Sequence, residues 1–126
     1  MRIGIDGSRS FAEKKTGIET YSYQITKYLR ESIPSCHEVV VFIRSGQMCD
    51  MELPAHWSVR IVKGRRAWTQ WRLSYELWKN PVDVLFVPAH VAPIWHPKRT
   101  VTVIHGLEYE TCPGAYSMFE KWYMRV

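Results

Sequence analysis

The run Val39-Val-Val-Phe-Ile43 constrains this chain most, because five consecutive apolar residues leave a strand no polar side to turn to water. Such a strand is covered on both faces, which favours a parallel sheet flanked by helices. The surrounding sequence supplies the other pieces. A short strand-like run, 2–6, opens the chain, and a polar loop begins at Gly7 and Ser8 and reaches Gly17. Ile18, Tyr21, Ile25, Tyr28 and Leu29 then recur at the spacing of one helical face, and Pro34 stops that helix beyond Ser32.

Further strands are expected at 38–43, 58–62, 82–87 and 100–104, with Val59 and Ile61 on one side of the third and the last two buried. Trp68, Trp71, Tyr75 and Trp78 fall at steps of 3, 4 and 3, a stripe along one helix ended by Asn80-Pro81. A last helix is expected at 115–126. The resulting alternation of strands and helices predicts an α/β domain with a mostly parallel sheet and helices on both faces. Ligands of such sheets lie beyond the carboxyl ends of the strands, which singles out 6–17, 88–90 and 105–108.

Length and composition narrow the classes. A chain of 126 residues has room for one domain, and 46% hydrophobic with 23% charged residues is enough to build a core. No run approaches the roughly 20 apolar residues of a membrane span. Asp6 interrupts the apolar start before a signal-peptide core forms, so the expected location is inside the cell. Cys36, Cys49 and Cys112 show no Cys-x-x-Cys spacing and read as idle thiols.

The net charge of +5 is concentrated. Arg60, Lys63, Arg65, Arg66, Arg72 and Lys79 face one acid, Glu76, so this segment carries the whole excess. The stretch 64–79 suits a membrane-surface helix, with Trp68, Trp71 and Trp78 entering the interface and Arg65, Arg66, Arg72 and Lys79 meeting anionic headgroups. The same pattern describes a single-stranded nucleic-acid platform, the least favoured reading. An aromatic core stripe beneath solvated charges is the plainer reading of the same spacing.

Generic phosphate motifs are missing: there is neither a P-loop nor a Gly-x-Gly-x-x-Gly turn. Beyond the first strand the loop closes on Thr16-Gly17-Ile18-Glu19, where glycine lets backbone approach a ligand at a helix N-terminus. Thr16 and Glu19 are also spaced as a capping box, which accounts for the sequence without a ligand, and the two readings are compatible. His105 ends an apolar strand beside Gly106 and is placed to donate, accept or hold a proton. His37, His56, His90 and His96 compete with it for any role, and His90 and His96 show no metal-ligand grouping, so no metal or cofactor is expected.

Taken in order, Ile3-Gly-Ile-Asp-Gly7, Thr16-Gly-Ile-Glu-Thr-Tyr21, Asp83-Val-Leu-Phe-Val-Pro88, Thr102-Val-Ile-His-Gly-Leu107 and Pro113-Gly-Ala-Tyr116 resemble the amino-terminal domain of family 4, GT-B type glycosyltransferases. The resemblance implies a retaining enzyme of two Rossmann-like domains, the first binding mainly the acceptor and the second holding most of the nucleotide-sugar. Gly17 would then present its N–H to the donor diphosphate, and His105 would touch the transferred sugar and stabilise developing charge. Asp6 and Arg9 would line the same cleft.

Two positions depart from the family pattern: Glu19 replaces a small residue of the glycine loop, and Gly106 replaces the Asp that often comes after the histidine. Read this way, residues 1–126 are one partial domain without the nucleotide-sugar domain, and are not expected to turn over substrate alone. The implied partners are a nucleotide-sugar donor, a lipid-linked or polysaccharide acceptor and the cytoplasmic face of a membrane. The alternative function is a non-catalytic module whose basic, Trp-rich face binds anionic lipid or nucleic acid.

Overall fold

The computed structural model describes residues 1–64, 67–89 and 91–106. Over these the chain is an α/β fold built on a five-stranded, all-parallel sheet in the order β3-β2-β1-β4-β5. The strands are β1 (Arg2–Asp6), β2 (Glu38–Arg44), β3 (Trp57–Val62), β4 (Val84–Val87) and β5 (Arg99–Thr102). Helix α1 (Gly17–Ser32) joins β1 to β2, while a π-helical turn (Trp68–Leu73) and the short α2 (Ser74–Lys79) lie between β3 and β4.

The apolar run of β2 behaves as its composition demands. Val39, Val41 and Ile43 join Ile5, Phe11, Met51 and Trp57 in a core on one face. Val40 and Phe42 join Val62, Trp68, Leu73, Leu77, Val82, Leu85 and Val87 on the other. Alternation with a period of two sends successive side chains to opposite faces, so a strand covered on both sides is apolar throughout. Gly7 is required just beyond β1, where an added Cβ would lie 2.7 Å from Val41 Cγ1.

Several expectations need correction. Strand β3 starts at Trp57, which is buried, whereas Val59 and Ile61 are exposed. Being the edge of the described sheet, β3 leaves that part of its face open. β5 is shorter than expected and only half-buried, with Val101 exposed, because no described strand lies beyond it. In α1 the buried residues are Glu19, Ser22 and Thr26, while Tyr21 and Tyr28 of the expected apolar face are exposed. The helix is rotated by polar anchors: Ser22 Oγ donates to the Pro88 carbonyl at 3.0 Å, and Thr26 Oγ1 and Ser10 Oγ share a hydrogen bond, also 3.0 Å.

The aromatic stripe is split. Trp68 is 1% exposed and its indole N–H donates to the Val62 carbonyl at 2.9 Å, while Trp71, Tyr75 and Trp78 point outward. A π-helical turn is wider than an α-helical one, so positions three and four apart no longer align across it. The turn starts after Ala67, which holds a left-handed conformation at φ 47°. Arg65, Arg66, His90 and the helix expected at 115–126 lie outside the described residues.

Candidate functional site

Strand order reverses at β1. The chain leaves β1 toward β2 on one side, and β4 pairs with β1 on the other, so the loops after β1 and β4 part at the carboxyl edge. A crevice at such a switch point is the usual ligand position of an open α/β sheet. Here it is a narrow space of about 30 Å³ lined by Asp6, Ser8, Arg9, Ile18, Arg44 and Thr69, with Ala89 and Val91 completing the wall.

Asp6 ends β1 and is buried. Burial pushes its carboxyl above the usual range, against hydrogen bonding by Ser8 and the charges of Arg44 and Arg9. Its Oδ1 accepts the Ser8 N–H at 2.9 Å, which fixes the first step of the loop.

Gly17 opens α1 and is exposed, and a Cβ placed there would meet nothing within 4 Å. Neither packing nor backbone conformation demands glycine at this position. The capping box is formed: the Glu19 carboxylate accepts the Thr16 N–H at 3.1 Å and the Thr16 hydroxyl, and Arg9 Nη1 lies 2.8 Å from its other oxygen. Burial would raise the Glu19 carboxyl, but the Thr16 and Arg9 bonds outweigh it and hold the group at about 2. Arg9 therefore lines the crevice as half of an ion pair rather than as an uncommitted cation.

The box leaves the Gly17 and Ile18 N–H groups without an acceptor among the described residues, so both remain available at the positive end of the α1 dipole. These are the groups an anion would meet first.

His105 lies three residues beyond β5 and packs on α1. Its ring stands edge-on to Tyr21, with centroids 4.8 Å apart, and its Nε2 is 2.9 Å from the Pro88 carbonyl oxygen. A carbonyl only accepts, so Nε2 carries the proton of this bond. Ser22 Oγ donates to the same carbonyl, which ties the ends of β4 and β5 to α1. Tyr21 sits one helical turn after Gly17, and helical side chains lean toward the N-terminus. His105 and Gly17, 88 positions apart in sequence, thus share one rim.

Protein-family models, curated proteins and solved structures offer no match to the chain.

Beside the crevice the rim widens into an open cleft of about 730 Å³ between the loops after β1, β2 and β3. Arg44, the last residue of β2, lines both spaces. The sequence expectation ended this strand at Ile43 and passed over Arg44; the signal was a lone cation closing an apolar run.

Between β3 and β4, Trp71 (65% exposed), Tyr75 and Trp78 (64%) form an outward aromatic row. The Trp95 N–H donates to Ser74 Oγ at 3.1 Å, placing the exposed Ile94 and Trp95 beside that row. Arg72 and Lys79 are exposed within it, and Gly64 (φ +140°) makes room for the Arg72 stem, since a Cβ there would lie 2.6 Å from Arg72 Cγ. Trp68 leaves the expected membrane face for the core. No helix of the described residues is long and apolar enough to cross a membrane, and no metal-ligating cluster occurs among them.

Proposed function

We propose that this chain is the acceptor-side domain of a retaining, family 4, GT-B type glycosyltransferase, which moves a sugar from a nucleotide-sugar to a lipid-linked or polysaccharide acceptor. The observation that carries this reading is the contact of His105 with α1: the histidine beyond β5 packs edge-on against Tyr21, one turn after Gly17 opens that helix. Sugar transfer from a nucleoside diphosphate develops negative charge on the leaving phosphate and positive charge on the sugar. The Gly17 and Ile18 N–H groups suit the first, and an imidazole suits hydrogen bonding to the sugar beside the reacting carbon.

In this reading a second domain supplies most of the nucleotide contacts and closes over the rim. Glu19 does not repel the diphosphate as an uncompensated charge, because Arg9 and Thr16 hold it in the cap. Trp71, Tyr75, Trp78, Ile94 and Trp95, with Arg72 and Lys79 among them, are suited to rest on an anionic membrane surface and bring a lipid-linked acceptor to the cleft. That face by itself also suits a non-catalytic lipid-binding module.

Assaying the protein that carries this domain against UDP-, GDP- and dTDP-sugars, with membrane lipid extract as acceptor, separates the two. Label transferred to lipid and abolished by His105→Ala supports the transferase. Vesicle binding without transfer from any donor favours the module and overturns the transferase.

A further inference from the structure

Arg44 is the cation of the rim that the fold positions without an ion pair. Among the described residues its guanidinium has no carboxylate within 4 Å, and its Nε is buried without a hydrogen-bond partner. Its Cζ lies 5.4 Å from the centroid of the Trp68 ring, which is itself in the core. The backbone is held too: the Arg44 N–H donates to Gln47 Oε1, and Gln47 Nε2 donates to the Ser8 carbonyl, each at 2.8 Å. A guanidinium held over a fixed indole, with a buried donor unmet, is a pre-organised receptor for a planar or tetrahedral oxyanion.

The other charges on the 730 Å³ cleft select against a simple polyanion. Lys15 is occupied by Asp50 at 3.8 Å and by the Tyr23 ring at 4.8 Å. Glu13 and Asp50 add negative charge, and Ser45 and Gln47 add neutral polar groups. The Glu13 carboxylate and the Ser45 hydroxyl can accept hydrogen bonds from hydroxyl groups, so the wall as a whole suits a polyhydroxylated ligand with one oxyanion for Arg44.

We infer that the cleft binds a sugar or polyol carrying a single oxyanion, a phosphate monoester or a uronate, and that Arg44 is the residue that selects for that group. The inference rests on the acceptor-side reading, for which it names the acceptor class: a charged sugar unit.

The test is binding to the full chain, monitored through the Trp68 indole N–H resonance, with glucose 6-phosphate, glucuronate, inorganic phosphate and glucose as probes. The expected result is saturable movement of that resonance by glucose 6-phosphate or glucuronate, with at least tenfold weaker binding of glucose. Which of the two anions binds tighter identifies the source of the oxyanion, and phosphate alone binding as tightly as glucose 6-phosphate would remove the sugar from the inference. Arg44→Gln is expected to weaken anionic-sugar binding about tenfold or more, the scale of lost charged hydrogen bonds. Arg44→Lys, which keeps the charge and loses the fork, is expected to fall between the two.

Equal affinity for glucose and glucose 6-phosphate overturns the inference, as does no movement with any probe, or unchanged binding in a folded Arg44→Lys protein. Sugar transfer is not part of this measurement. Charged-sugar binding here, with no transfer from any donor by the protein that carries this domain, would therefore defeat the transferase and leave the site standing, whereas transfer without charge preference would do the reverse.

Discussion

The His105 ring meets Tyr21 edge-on, with planes at 80°, and so joins the segment after β5 to the second turn of α1. An edge-to-face pair of this kind contributes on the order of 1 kcal/mol, and the hydrogen bond to Pro88 a similar amount. His105→Ala should therefore cost the fold roughly 1–2 kcal/mol, which leaves it folded. If the imidazole stabilises the transition state, the same variant should lower kcat/KM about 100-fold or more. Denaturant unfolding and steady-state kinetics on one preparation separate the effects; kinetics that fall no further than stability does would remove the assigned role.

Gly17 offers the opposite combination. Its missing side chain fills no space, since nothing lies within 4 Å of the Cβ position, and glycine is a poor helix former. Gly17→Ala is expected to leave stability unchanged or raise it by up to about 1 kcal/mol. The donor KM should rise, because the added methyl would stand where a diphosphate must approach the backbone. A urea midpoint that drops in this variant would show a packing role that the geometry does not contain.

The sheet was legible in the sequence because its signals are local. The unbroken run at 39–43 and the strand–helix alternation reflect which side chains face water. The rotation of α1 was hidden because polar groups set it: Ser22 is buried by its bond to Pro88, 66 positions away. The aromatic stripe misled because its spacing assumed 3.6 residues per turn, and the π-helical turn at Trp68–Leu73 breaks that period. Gly17 does open a helix, whereas His105, read as ending a strand, lies three residues beyond the shortened β5 and packs on Tyr21. Arg44 was missed because its meaning depends on a Trp68 contact across 24 positions and on its making no ion pair within 4 Å among the described residues.

Glu19 predicts a pH dependence. Its carboxyl titrates near 4.5 when unconstrained and at about 2 in the fold, where Thr16 and Arg9 hold it ionised. A depressed folded value stabilises at pH above the unfolded value and is lost as pH falls through the folded one. The contribution, at most about 3 kcal/mol, should be complete above about pH 5 and vanish toward pH 2. Glu19→Gln removes the charge that Arg9 pairs with. The stability gap between wild type and variant should thus be widest near neutrality and close on acidification; a constant gap from pH 6 to pH 3 would contradict the assignment.

Trp68 and Trp71 stand three residues apart, yet the fold gives them opposite surroundings. Trp68 is sealed in the core with its indole N–H bonded to Val62, so Trp68→Ala opens a cavity and should cost about 3–5 kcal/mol. Trp71 is 65% exposed, so Trp71→Ala should stay within about 1 kcal/mol of wild type. Affinity for anionic vesicles should reverse the order. Removing Trp71, or Trp78 beside it, takes apolar surface from the interface and should lower flotation with anionic liposomes, while Trp68→Phe, which keeps most of the core packed, should not. Raising salt should weaken binding further through Arg72 and Lys79, because exposed charges are screened within about 8 Å at physiological ionic strength. Equal flotation of wild type and a Trp71→Ala, Trp78→Ala double variant would leave the outward aromatic row without a membrane role.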